Sequence, residues 1–430
     1  MAIVLPFRAL RYNSKRVKID KVTAPPYDVI NPAYQNTLYG RDVHNVVRLI
    51  LGKIKSSDTT KDNRYTRAAA FLKDWRQKGV IVQEDKPCFY VYEQRYRVPE
   101  SNQVKTRTTL FAALQLEPLG KGTVYPHERT HKKAKVDRTH LLKAVKTNLS
   151  PVFGLYEDGS QLVRKQFMKA QKTKLYTYTD DNKIHHTLYR VEDDKYLRDI
   201  QRLMKTKKIF IADGHHRYET ALAHSEAVHK RKQARRGILA SDYIYVGLCN
   251  LEDAGLEVLP IHRVMTGLKS FKPDQFVKKM SELFVLKKIH PTMLKEKLLT
   301  SKTGTPHFGI YLGRSGTYWV QAKDVRKIKK VMPKGRVPAW YDLDVAWVSE
   351  IIMKYILKLD DHQMDQQCTY KAAWDDAIGM INAKKAQVAI LMRPTSLASV
   401  KKMCIQKERM PQKSTFFYPK LPSGLLFHKH

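Results

Sequence analysis

Apolar positions along this chain of 430 residues switch repeatedly between a period of two and a period near three and a half, which predicts strands and helices in alternation. Between Asp62 and Gln77, the residues Tyr65, Ala68, Ala69, Leu72 and Trp75 fall on one face before Gly79, and predict a helix. Cys88 to Tyr96 and Thr106 to Leu116 are β-branched and aromatic runs joined by a polar connection with Pro99, the pattern of a hairpin. Lys208 to Ala212 reads as a short buried strand, and a helix with Tyr218, Ala221 and Leu222 on one side follows a polar turn. Tyr243 to Leu251 and Val388 to Met392 read as further strands, and Leu343 to Leu357 as a helix. This mixture predicts an α/β fold of mixed α+β type and argues against a bundle or a sandwich. No internal repeat is visible.

Basic, proline-bearing stretches at 268–274 and 325–338 are the linker candidates. They divide the chain into a catalytic region, 1–267, and a C-terminal α/β region, 268–430, whose tail is expected to return to the site.

Composition narrows the class. A hydrophobic content of 43% fills a substantial core, and nowhere do about 18 apolar residues run together as a bilayer span needs. The start, Met1 to Arg8, has a short apolar stretch with no charged leader and no small-residue cleavage site, so no signal peptide is expected. Cys88, Cys249, Cys368 and Cys404 lie far apart, without the close pairs of a zinc site or a disulfide framework, and a reducing, cytoplasmic compartment is expected. The 79 Lys and Arg against 41 Asp and Glu leave a formal charge of +38, which brings polyanions into view. The basic clusters at Lys205–Lys208, His229–Arg236 and Lys323–Arg336 form no long tail, however, and read as a dispersed, solvated surface.

The densest chemistry lies at Asp213-Gly214-His215-His216-Arg217, between the strand and the helix that follows. A strand feeding a glycine turn and then a helix aims backbone N–H groups and the positive end of the helix dipole at one spot, where anions bind. Gly214 permits a tight turn, Arg217 offers a planar fork for phosphate oxygens, and His215 and His216 add donors. Asp213 is the candidate to hold a metal ion, Mg²⁺; the simpler reading makes it a helix cap.

Ala212-Asp-Gly-His-His-Arg-Tyr-Glu-Thr-Ala221 resembles the signature of a widespread microbial protein family of long-unknown role. Further blocks match that family: Pro6–Tyr12, Ala24–Val29, Asn45–Gly52, Pro126–Thr130, Asn148–Pro151 and Met410–Pro419, so that the resemblance spans essentially the whole chain. Its core also resembles the phosphate-binding motif of the ParB/sulfiredoxin-like fold, whose members include free-serine kinases. The resemblance implies a phosphotransferase that makes O-phosphoserine from free L-serine, with pyrophosphate, ADP or ATP as donor.

Such a transfer needs donors around the phosphate, a divalent ion and a carboxylate near the acceptor hydroxyl. Asp28, behind the stiff Ala24–Tyr27 segment, and Glu128, behind Pro126, join Asp213 as candidate catalytic carboxylates. Arg48 and Lys413 are candidate phosphate ligands beside residues 214–217, and Asn45, His127, Arg129, Ser414 and Thr415 are candidate substrate contacts.

Other chemistries are weaker. His127-Glu-Arg-Thr-His131 satisfies H-E-x-x-H, yet Pro126 abuts it and no apolar helical face follows, so a polar site loop is the better reading than zinc. The P-loop, the G-x-G-x-x-G fingerprint and the G-x-S-x-G elbow are all missing. Tyr90, Tyr92 and Tyr96 around Arg95 are more plausibly half core and half surface than a stacking platform for single strands. A ParB-like nucleic-acid-binding regulator and a nucleotide hydrolase remain the alternatives, with nucleic acid not favoured and no membrane partner.

Overall fold

The computed structural model describes residues 1–101, 103–128, 132–231, 237–301 and 304–430. The chain forms two compact units: Met1–Pro126, Thr130–Leu256 and Pro419–His430 make the first, and His127–Arg129 with Glu257–Tyr418 the second. Along the sequence the main change of unit therefore falls at Leu256/Glu257, and the C-terminal segment belongs with the N-terminal half.

The first unit is built on a mixed sheet of nine strands: Val4–Leu5 (β1), Phe89–Arg97 (β2), Val104–Gln115 (β3), Val124–Pro126 (β4), Val152–Tyr156 (β5), Thr173–Thr179 (β6), His185–Val191 (β7), Ile209–Asp213 (β8) and Tyr243–Asn250 (β9). Its order is β4-β8-β5-β9-β3-β2-β7-β6, with β1 added to β3. β2 and β3 form the expected hairpin, antiparallel from Tyr90 opposite Phe111 to Arg97 opposite Val104. Both faces of its central stretch are buried, so Tyr90, Tyr92 and Tyr96 are core residues, with the Tyr96 hydroxyl donating to the Gly255 carbonyl at 2.8 Å.

Helices cover this sheet. Arg64–Gln77 (α1) starts in a capping box between Asn63 and Thr66 and buries Ala68, Leu72 and Trp75, as the spacing predicts. Lys132–Val145 (α2), Asp194–Met204 (α3) and His215–Arg231 (α4) follow; α3 buries Leu197, Ile200 and Met204 at helical spacing behind its Asp193 cap. Ile209, Ile211, Val246, Leu248 and Tyr218 join the resulting core.

The second unit carries a six-stranded sheet, whose edge pairs include His262–Met265 with Cys368–Lys371 and Phe284–Lys288 with Thr317–Ala322. Val388–Leu391 is the expected strand. The helix expected over 343–357 is an α-helical turn, Asp344–Trp347, running into a π-helix, Val348–Ile356, that buries Val348, Ile351, Ile352, Met353 and Ile356. Neither stretch expected as a linker is one throughout. Pro273 starts the helix Pro273–Leu283, and Asp324 caps the helix Val325–Val331 through the N–H groups of Arg326 and Lys327.

All four cysteines are buried and free. Among the described residues, no helix is long and apolar enough to cross a membrane.

Candidate anion-binding site

β8 is apolar through Ala212 and ends on Asp213. Against β5, Ile211 pairs with Gly154 but Asp213 pairs with Phe153, so the register slips at Ala212. A bulge of this kind re-aims the next side chain, and Asp213 emerges from a strand whose preceding four residues are buried. Gly214 follows at φ +87°, a conformation that costs a side chain energy, and its carbonyl accepts the first helical bond, from Tyr218 N–H at 3.0 Å. A Cβ on Gly214 would stand 2.9 Å from Cζ, Nε and Nη2 of Arg217, which shows that the guanidinium folds back over the turn.

Arg217 donates through Nη1 to the Pro151 carbonyl and through Nη2 to Asp213 Oδ2, the latter at 3.0 Å. The other carboxylate oxygen, Oδ1, accepts from Lys420 Nζ at 3.2 Å. Burial disfavours the charged form of Asp213, but Lys420 and Arg217, with His215 behind them, hold its carboxyl well below the usual carboxylate range. The trio is a fixed anion between two cations, at the N-terminus of a helix, with a net charge of +1. His215 is buried and His216 half-buried in the first turn of α4.

Lys420 arrives by design of the hairpin. Arg107 and Gln94, on β3 and β2, are fully buried; Arg107 Nη2 donates to the Pro419 carbonyl at 2.5 Å and Gln94 Nε2 to the Lys420 carbonyl at 3.2 Å. The Arg107 guanidinium also lies 4.8 Å from the ring centre of Phe153, the residue opposite Asp213 in the ladder. Side chains from the sheet thus hold both ends of the Asp213–Lys420 pair.

The remaining expected residues of this unit take different places. Asp28 is exposed in a 3-10 turn, Tyr27–Val29, whose Tyr27 ring lies 3.9 Å under the Arg138 guanidinium. Asn45 is fully buried, its amide donates to the Lys21 and Thr23 carbonyls at 2.7 and 3.3 Å, and its Oδ1 accepts from Val47 N–H, so it braces a loop. Arg48 donates to the Tyr39 carbonyl at 2.8 Å and stacks 4.3 Å from the Tyr39 ring.

Within the second unit, His127, Glu128, Ser414 and Thr415 come together. His127 is fully buried with Nε2 3.0 Å from Thr415 Oγ1, and Glu128 Oε1 accepts from Ser414 N–H at 3.1 Å. The Ser414 hydroxyl donates to the Pro411 carbonyl. Lys413 is exposed at φ +54°, and its carbonyl accepts from buried Arg263 at 3.2 Å. Arg129 lies outside the described residues.

Neither metal reading fits well. His127 precedes, and Glu128 forms, an extended bridge to Met410, so these two residues are not helical as H-E-x-x-H zinc binding requires; residues 129–131 lie outside the described residues. Among the described residues no group of three or more His, Cys, Asp or Glu is arranged to hold a metal ion. Both Asp213 oxygens already face cations, a poor setting for Mg²⁺ held by the protein alone.

Reading the sequence missed Lys420, Arg107 and Arg138. Arg107 carried a signal, as a charge inside the strand run Thr106–Leu116, and Lys420 directly follows the block Met410–Pro419.

Compared with known proteins, residues 4–346 match the model of a family described as "Protein of unknown function (DUF1015)". No curated protein matches. Similar solved structures include a conserved hypothetical protein from Pyrococcus furiosus, at 13% identity, covering 76% of this chain and 96% of that one with a TM-score of 0.35. A free serine kinase in complex with AMP shows 13% identity, with 75% and 90% covered and a TM-score of 0.35. SbnI with C-terminal truncation from Staphylococcus aureus shows 8% identity, with 72% and 84% covered and a TM-score of 0.34.

Proposed function

We propose, for a chain that belongs to the DUF1015 family of proteins of unknown function, that the Asp213–Arg217 turn with Lys420 binds a phosphate oxyanion and that the protein is a phosphotransferase acting on a small hydroxyl compound. Free L-serine is the acceptor, and pyrophosphate, ADP or ATP the donor, that the resemblance at Ala212–Ala221 implies. The first unit would carry the ParB/sulfiredoxin-like core. The observation that supports this reading most is the Asp213 carboxylate clamped between Arg217 and Lys420 over a glycine turn at a helix N-terminus.

In the reaction, the serine hydroxyl oxygen forms a bond to the transferred phosphorus while the bond to the donor's bridging oxygen breaks, and the hydroxyl proton passes to a carboxylate. Arg217, Lys420 and the first N–H groups of α4 spread over the phosphoryl oxygens as their charge shifts. Asp213 is too acidic to be an effective base, because a base works best near the operating pH. Its part is to fix the two cations. Within the first unit, Asp28 remains the candidate carboxylate for the proton. Mg²⁺ would enter with the donor and neutralise its phosphates.

Purified protein incubated with Mg²⁺, L-serine and each donor in turn should yield phosphoserine by mass. Its absence with every donor, from protein shown to be folded, would reject the assignment.

A further inference from the structure

We infer that the cavity between Arg138 and Arg217 is a binding site for the carboxylate end of a small amino or hydroxy acid. The inference rests on the phosphotransferase reading only in calling that acid the acceptor.

This cavity, of about 50 Å³, lies wholly within the first unit, with Tyr27, Arg138, Leu141, Arg217, Thr220 and Ile244 among its walls. Its lining holds two guanidiniums and no carboxylate. Each guanidinium has an acidic partner outside the lining, and each partner is shared with a second cation. Asp137 accepts from both Arg138 and Arg64, as Asp213 does from both Arg217 and Lys420. Each trio keeps a net charge of +1, so two positive centres flank one cavity. Arg138 donates to Asp137 and to the Ile50 carbonyl, and Arg217 to Asp213 and the Pro151 carbonyl, which leaves N–H donors over on both five-donor forks.

Thr220 supplies an independent pointer. It is 2% exposed, it lines the cavity, and its hydroxyl has no hydrogen-bond partner among the described residues. A buried hydroxyl left unpaired weakens a fold, and a ligand oxygen is the natural acceptor for it. Thr147, Asn148 and Ser150 add polar groups to the walls, and Tyr27, Leu141 and Ile244 supply aromatic or aliphatic surface that suits a short carbon backbone. One water needs roughly 10–15 Å³ of such space, so the cavity takes about four heavy atoms. That matches a carboxylate and its α-carbon.

The test is equilibrium binding to the full chain by titration calorimetry, with L-serine, D-glycerate, ethanolamine and pyrophosphate as probes. L-serine and D-glycerate should bind, whereas ethanolamine, which keeps the hydroxyl and lacks the carboxylate, should bind at least tenfold more weakly. Thr220→Val should weaken L-serine roughly tenfold, leave pyrophosphate unchanged and melt no lower than the parent, because it removes an unpaired group. Leu141→Trp, which fills the cavity, should abolish L-serine binding while pyrophosphate still binds. Equal binding of ethanolamine and L-serine, or unchanged L-serine affinity in Thr220→Val, overturns the inference. A lower melting temperature for Thr220→Val overturns it too, since the hydroxyl then has a partner in the free fold. Carboxylate-dependent binding without phosphoserine formation would reject the phosphotransferase reading and leave this site standing.

Discussion

The guanidinium of Arg217 lies across Gly214, so closely that a Cβ on Gly214 would stand 2.9 Å from it. The backbone of one residue and the side chain of another, three positions later, are shaped to each other. Gly214→Ala therefore meets two obstacles, a φ of +87° and a displaced guanidinium. The expected loss is about 1–3 kcal/mol of stability, with pyrophosphate affinity down at least tenfold. Urea unfolding and calorimetry measure the two; wild-type affinity in a folded Gly214→Ala would show that the arginine's position is immaterial.

Arg217→Lys keeps the charge but loses the fork that spans Pro151 and Asp213. Weaker pyrophosphate binding, by roughly tenfold, is expected for it and for Lys420→Ala, since each removes a charge-assisted contact. If both single variants and the double variant bind alike, the two cations act as one unit; additive losses would mean they act separately.

Asp213 also links stability to acid. Its folded pKa is depressed, so its contribution is fully present above the unfolded value of about 3.9 and is lost as the pH falls below it. The stability gap between the parent and Asp213→Asn should be constant from pH 5 to 7 and close below pH 4, as followed by urea unfolding.

A second pH effect has the same direction and a higher window. Burial pushes His428 down to about 4, and burial with neighbouring His428 and His224 pushes His430 down to about 3. Both are neutral in the fold, and the unfolded chain takes up their protons first, near pH 6.5. Stability should thus be full above pH 6.5 and fall as the pH drops toward 4, by up to about 1.4 kcal/mol per pH unit for each histidine. His428→Asn should flatten that slope; a slope unaltered by the substitution would place the effect elsewhere.

The formal charge of +38 sets the alternative of nucleic-acid binding, and salt separates the two. Turnover of a small substrate should survive 0.2 M salt and vanish in Arg217→Ala. Binding that falls by roughly 10³-fold between 50 and 200 mM salt, without turnover, would point to backbone neutralisation on a nucleic acid.

Local patterns made much of the scaffold readable. The hairpin of Phe89–Arg97 and Val104–Gln115, the helix Arg64–Gln77 and the strand-turn-helix at Asp213 follow from periodicity and turn chemistry. What periodicity cannot carry is partnership. Asn45 has the right chemistry for a ligand, yet backbone carbonyls nearby take its amide donors. Lys420 looked like any surface lysine because its partner Asp213 stands 207 residues earlier. The basic stretch at 325–338 hid a helix because its cap, Asp324, sits one residue outside it.

The return of Pro419–His430 to the first unit sets an order of assembly. As the chain leaves the ribosome, Asp213 and Arg217 emerge long before Lys420, with almost all of the second unit synthesised in between. Until then the carboxylate has only one of its two cations. The anion site is completed only after the second unit has been synthesised, so a nascent chain of the first 400 residues is expected to bind phosphate poorly even where its sheet has formed.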